Sequence, residues 1–415
     1  MPFAHRTVRS HQTGNSLKPD EPGQLPASTR FLNHFRAQFA APGDPPPGPQ
    51  QAQWHRYIRS AAAGDLWTAP ISPKEVYLIV FPACKHVQPG TRCPGIPVGE
   101  ECTLCWQYRE DLAAWDGDPD NPNGHNPQHT PHLHSSTSPG EDGIFPEIIM
   151  WARPAEGADR PAYRWKVAGV IANLLNAIKR EGVMPAEACR NRTVALLKRG
   201  KDGVELNAAD PNDHRPITMG NVIPKILGHV IAKRLSHWCV HHKIMSPAQV
   251  GFMQGKGCED HVFSLLESVR YRWRRKSPLY ALFVDISKAY DSVHPEALWY
   301  VLGRMGIPPD LIGLLRSWSQ QRVTSLDING ELLEPIPMLL GIAQGDVLSP
   351  LLFNLFTDSL SRYIESLPGY KGVDTWGVTV KELKYADDSV VLATSVAQLR
   401  KVAAAFYEWG EAWGL

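Results

Sequence analysis

The sequence predicts an α+β fold in which helices alternate with antiparallel hairpins and strand ends carry carboxylates. The apolar run at 279–284 stops at Asp285, and the runs at 381–385 and 390–392 flank the pair Asp387-Asp388, which is how strands closed by polar turn residues read. Leu298, Val301, Leu302 and Met305 stand at helical spacing, Pro308 and Pro309 then break the pattern, and a second helix follows near 310–321. Val323–Ile328, then Asn329-Gly330, then another extended run read as a hairpin with a tight primed turn.

The strand-end carboxylates suggest chemistry. Asp285, Asp387 and Asp388 sit where a rigid sheet can hold hard cations, and Mg²⁺ takes oxygen ligands, usually one or two protein carboxylates with substrate phosphates completing its shell. An isolated Asp at a strand end is otherwise a turn or cap residue. Two adjacent like charges beside an apolar hairpin are costly unless a cation compensates them, which favours a site. A third segment, Ala-Gln-Gly-Asp at 343–346, precedes a dense apolar run. Ser349 reads as the N-cap of the next helix and Pro350 as its first residue. Gln344 and Gly345 therefore precede a helix start, where free backbone N–H groups and a missing Cβ allow a phosphate-bearing ligand to approach; a plain loop before a helix is the alternative.

FVDISKAYDSV, GIAQGDVLSPLLFNL and YADD, in this order, resemble the A, B and C motifs of reverse transcriptases, with LSPLLFNL closest to the non-LTR (LINE-type) retrotransposons. Upstream, LLKRGKD, DHRPITMGNVIPKILGHVIAKRL and SPAQVGFMQGKGCEDHVF are similar to the fingers segments of that family, and SPGEDGIFPEII to a further block, so the resemblance covers roughly residues 70–415. It implies a right-hand polymerase-like fingers and palm, the palm an antiparallel sheet packed on helices. It further implies an RNA-directed DNA polymerase of a retrotransposon, joining a dNTP to a DNA primer on an RNA template. Such a reaction is an in-line displacement supported by two Mg²⁺ ions about 3.5–4 Å apart. By resemblance Asp285, Asp387 and Asp388 are the catalytic carboxylates, and Asp285, Asp387 and the Ile286 carbonyl are the Mg²⁺ ligands. Gln344 and Gly345 would border the nucleotide. Nuclear localisation is implied in the same way. Group II intron enzymes usually carry Gly-Gly where this chain has Gly345-Asp346, and YADD with a bulky Tyr290 argues against a viral RNA-copying polymerase.

Tyr290, five positions after Asp285, matches an aromatic position whose ring packs under the sugar of the incoming nucleotide in the family, where it rejects a 2′-hydroxyl by overlap. A core tyrosine is the alternative. Lys198 and Arg215 are the triphosphate contacts the resemblance suggests, Arg215 for its planar fork, with Arg199 and Lys201 as substitutes for Lys198.

With 43 Lys+Arg against 42 Asp+Glu, net charge is +1, so any nucleic-acid track must be local. Arg270, Arg272, Arg274, Arg275 and Lys276, interleaved with Tyr271 and Trp273, form a candidate patch; a solvated helix end explains them equally. No run resembles a transmembrane helix, and MPFAHRTVRS lacks a secretory apolar stretch, so a soluble intracellular protein is expected, of unspecified oligomeric state.

The expected organisation is a Pro-rich, disordered linker over 1–70, a fingers-like region over 71–284 with a Cys/His-rich insertion at about 84–135, and a palm over 285–415. Within this linker, FLNHFRAQF suggests a short helix. The chain stops soon after FYEWGEAWGL, similar to the start of the family's next motif. The expectation is therefore a C-terminally truncated palm without a thumb, with Phe406, Trp409 and Trp413 short of partners. A truncated or degenerate, non-catalytic nucleic-acid-binding remnant is the competing reading.

Cys102 and Cys105 with His125 and His129 suggest Zn²⁺. The interval from Cys105 to His125 exceeds the roughly 12-residue spacing of a C₂H₂ finger, and an unstructured loop with reduced thiols is the other reading.

Overall fold

The computed structural model describes residues 26–80, 139–144, 146, 149, 160–198, 207–253, 255–328 and 330–415. Its strands are β1 (Arg190–Leu197), β2 (His214–Met219), β3 (Tyr280–Val284), β4 (Val323–Ile328), β5 (Glu331–Leu332), β6 (Ile336–Pro337), β7 (Val373–Thr375), β8 (Val378–Val380), β9 (Glu382–Tyr385) and β10 (Asp388–Ala393). Two compact units form. One comprises Met1–Ala37, Pro70–Val230 and Gln321–Pro337; the other comprises Gln38–Ala69, Ile231–Gln320 and Met338–Leu415.

The first unit holds a sheet of order β2-β1-β4-β5, with β6 also on β4. β1 and β2 are antiparallel, pairing Leu197 with His214, while β1 and β4 run parallel from Arg190 and Val323. Thr193 ties three strands together, its hydroxyl 2.9 Å from Thr218 and 2.7 Å from Thr324. The buried Asp327 carboxylate is held by Arg192, whose Nε donates at 2.7 Å. The β4–β5 hairpin turns at Gly330 (φ +90°), whose N–H donates to Asp327 at 2.8 Å, in line with the Asn-Gly signal. This hairpin lies between the first and second sequence motifs, in the stretch expected to be palm, yet β4 places it in the first unit because its free edge completes β1.

The expected linker is also structured from residue 26 onward. Helix Ala27–Gln38 buries Phe31 and Phe35 completely, and the Phe31 ring meets His214 edge-on at 4.8 Å. Aromatic residues four apart form one apolar stripe, which stabilises the helix by burial where propensity is neutral.

The second unit holds the antiparallel sheet β3-β10-β9 and the small hairpin β7-β8. Helix Val396–Trp413 packs on β10 and β3 and against helix Ser349–Ser366. Phe356 meets Trp409 and Trp413 edge-on at 6.0 and 5.9 Å, and both tryptophans are buried, contrary to the expectation that they are short of partners. Residues 38–69 contribute to this packing. Gly48 lies so close to Ala412 and Trp413 that a Cβ there would overlap both, and the Ala62 carbonyl accepts from the Trp238 indole at 2.9 Å. Burial alternates along β3, and Phe283 is 70% exposed on this apolar strand.

Candidate active site

Asp285 directly follows β3, and Asp387 and Asp388 lie where β9 turns into β10. The β3–β10 register pairs Val284 with Ser389, so one further antiparallel step sets Asp388 opposite Asp285. Asp285 and Asp388 are exposed, Asp387 half-buried. Burial raises the Asp387 carboxyl above the ordinary carboxylate range, and the charges of Asp388 and Asp285 raise it further. The turn depends on Ala386, which adopts the left-handed region at φ +56°, unusual for a residue with a Cβ.

Tyr290 sits in the short helix Ala289–Ser292, its ring stacked on Phe353 at 5.0 Å and 22°. Its carbonyl accepts from the Ile342 N–H at 2.9 Å, which fixes the first motif against the second. Burial and the nearby Asp387 charge push the Tyr290 hydroxyl up to about 12, so it stays neutral and the half-buried ring borders the carboxylates. Gly345 has φ +100°, open to glycine, and is exposed; the Gln344 side chain makes no hydrogen bond among the described residues. Helix Ser349–Ser366 begins one residue earlier than the capping signal suggested. Ser349 is its buried first residue, Pro350 its second, and Asp346 accepts from the Leu348 N–H at 3.3 Å in place of a serine cap.

Lys198 and Arg215 belong to the first unit. With Leu197 paired to His214, Lys198 and Arg215 fall on one face of the β1–β2 hairpin. Arg215 is exposed and forms no ion pair among the described residues. The Lys198 ammonium donates to the Asn212 carbonyl at 2.6 Å.

The basic run at 270–276 closes helix Cys258–Arg274, with Trp273 83% exposed among its cations. Tyr271 is buried against Trp376 at 4.9 Å, Arg275 covers the Tyr271 ring at 4.7 Å, and Arg270 pairs with Glu267. Cys102, Cys105, His125 and His129 lie outside the described residues.

Several buried polar residues behind the carboxylates escaped the sequence reading. Gln249, Asn354, Glu382 and Lys384 are all buried, and burial lowers the Lys384 ammonium while raising the Glu382 carboxyl. The one sequence signal was Asn354, a lone amide within the apolar run LLFNLF.

Among the described residues, no three His, Cys, Asp or Glu side chains gather tightly enough to enclose an ion by themselves. The donors at the strand ends are nonetheless all oxygens. A carboxylate whose proton affinity is raised by its neighbours' charges suits a divalent cation whose remaining positions go to water and phosphate.

The family described as "Reverse transcriptase (RNA-dependent DNA polymerase)" matches residues 198–415. The Retrovirus-related Pol polyprotein from type-2 retrotransposable element R2DM of Drosophila melanogaster is 29% identical over 261 residues, covering 62% of this chain and 22% of its own. The RNA-directed DNA polymerase from mobile element jockey, also of Drosophila melanogaster, is 25% identical over 252 residues, covering 59% of this chain and 26% of its own. The chain thus spans only 22–26% of these curated relatives. Apo telomerase from Candida tropicalis, truncated from its C-terminal domain, matches 66% of this chain and 58% of its own at a TM-score of 0.39 and 12% identity. No helix among the described residues is long and apolar enough to cross a membrane.

Proposed function

Because the chain belongs to the reverse transcriptase (RNA-dependent DNA polymerase) family, we propose that it carries the polymerase site of a non-LTR retrotransposon enzyme. That site would extend a DNA primer on an RNA template from dNTPs. The observation that carries the reading is the meeting of Asp285, Asp387 and Asp388 at adjoining ends of β3 and β10, where their charges act on one another.

The family depends on divalent metal, here read as two Mg²⁺ ions, which when bound activate the primer 3′-hydroxyl and neutralise the leaving pyrophosphate. Asp285, Asp387 and the Ile286 carbonyl would hold them, with Asp388 adding charge beside Asp387. Gln344 and the exposed Gly345 backbone would face the incoming nucleotide, and the neutral Tyr290 ring, held by Phe353, would occupy the space of a 2′-hydroxyl. Arg215 and Lys198 would meet the triphosphate as a fork and a point charge. Nuclear localisation fits the same retrotransposon reading, and a zinc site at Cys102, Cys105, His125 and His129 predicts about one equivalent of zinc in protein purified without chelator.

The deciding test is single-nucleotide extension of a DNA primer on RNA with Mg²⁺. Asp285→Asn and Asp387→Asn should each slow it by at least about 10³-fold, because transition-state charge is no longer balanced. Extension at the wild-type rate in either variant would refute the assignment, and a wild-type chain that extends nothing would favour a non-catalytic nucleic-acid-binding remnant.

A further inference from the structure

We propose that Gln249 is a positioning residue for the Asp387-Asp388 turn, its buried carboxamide gripping the N–H and C=O of Ala386 and tying them to Asn354. The inference deepens the polymerase reading and rests on it. Gln249 is 2% exposed. Its Oε1 accepts from the Ala386 N–H and the Gly251 N–H, both at 2.9 Å. Its Nε2 donates to the Ala386 carbonyl at 3.3 Å and to Asn354 Oδ1 at 3.0 Å. Both amide protons and both oxygen lone pairs are therefore engaged. Asn354 closes the circuit by donating from Nδ2 to the Gly251 carbonyl at 2.8 Å.

The surrounding backbone fixes the carboxamide in place. The Lys384 N–H donates to the Ala248 carbonyl at 2.9 Å and the Val250 N–H to the Lys384 carbonyl at 3.0 Å, so residues 248–250 run parallel beside β9. At Gly251 a Cβ would stand 2.5 Å from the Ala386 nitrogen, so only glycine lets this segment close on the turn.

Ala386 has no ladder partner at the turn and its buried N–H and C=O must be satisfied elsewhere. A single side chain does both only if it carries a donor and an acceptor side by side, which a carboxamide does and a carboxylate or thioether does not. Ala386 immediately precedes Asp387, so its left-handed backbone sets the direction in which the catalytic pair leaves β9. Loss of that restraint displaces the carboxylates rather than removing them, and small misplacements of reacting groups cost about 10²-fold in rate.

The test compares wild type, Gln249→Met and Gln249→Glu in the full chain by amide hydrogen exchange, thermal melting and single-nucleotide incorporation. In Gln249→Met the Ala386 amide should exchange at least about tenfold faster while helices away from the turn keep their protection, as expected for a local opening. The incorporation rate constant should fall about 10²-fold with dNTP half-saturation nearly unchanged. Gln249→Glu keeps both acceptor contacts and carries the test if Gln249→Met does not fold; it should retain Ala386 protection but still slow incorporation. Unchanged Ala386 exchange in a folded Gln249→Met variant, or a wild-type rate constant in Gln249→Glu, would overturn the proposal. If the wild-type chain incorporates nothing, the polymerase reading falls, while the exchange measurement alone still decides whether Gln249 holds the turn.

Discussion

Arg215 stands exposed on β2 and pairs with no described acid, whereas Asp387 is half-buried in a turn held from behind by Gln249 and Asn354 and adjoined by the buried Lys384. The two regions place the proposed site groups by different physics. A guanidinium on the open face of a hairpin needs only the strand register to aim it, and water solvates it until a ligand arrives. A carboxylate drawn into the protein is desolvated, repelled by its neighbours, and kept there by contacts made at the preceding Ala386 peptide. Removing the exposed group should change binding and leave the fold alone. Changing the buried one should trade function against stability.

The sharpest way to break this comparison is Asp387→Asn. Its activity should drop by the largest factor, while its folding stability should rise, since the raised pKa means the charged form is disfavoured in the fold. The sign follows from the direction of the shift. Protonating Asp387 stabilises the folded chain, so the variant's advantage over wild type is full above the folded pKa and fades as pH falls through it. Denaturant unfolding across that range decides it; a variant less stable than wild type at neutral pH would show that the turn needs the charge.

Tyr290 lies between the extremes, half-buried yet bordering the carboxylates. Tyr290→Ala should relax discrimination between dNTP and rNTP by about tenfold or more, because the barrier is steric, and should also lower the melting temperature through loss of the stack on Phe353. An unchanged nucleotide preference in competitive incorporation would place the selectivity elsewhere.

The smallest effects belong to the hairpin cations. Arg215→Ala should weaken dNTP half-saturation by about tenfold with stability within about 0.5 kcal/mol of wild type. Lys198→Ala should do less, because its ammonium already donates to the Asn212 carbonyl. A large stability loss in Arg215→Ala, read by thermal melting, would erase the contrast with Asp387.

The sequence by itself determined the local devices. Apolar runs ending at Asp285 and Asp387, the helical spacing within Pro295–Met305, and the hairpin after β4 all depend on neighbours a few residues apart, and each appears in the fold. Motif order likewise named the carboxylates and Tyr290. Helix Ala27–Gln38 was partly legible, since Phe31, Phe35 and Phe39 repeat every four residues within a polar, Pro-rich context that pointed to a linker.

Only tertiary structure decided the rest. Parallel pairing of β1 with β4 joins residues far apart in the chain and leaves no local trace, so nothing in the hairpin's own sequence assigned it to the first unit. The exposure of Phe283 follows from which face of β3 helix Val396–Trp413 covers, a choice that composition does not record. Gln249 reads as an ordinary polar residue until the chain returns to present the Ala386 peptide to it, because a carboxamide becomes a clasp only when buried donors and acceptors converge on it.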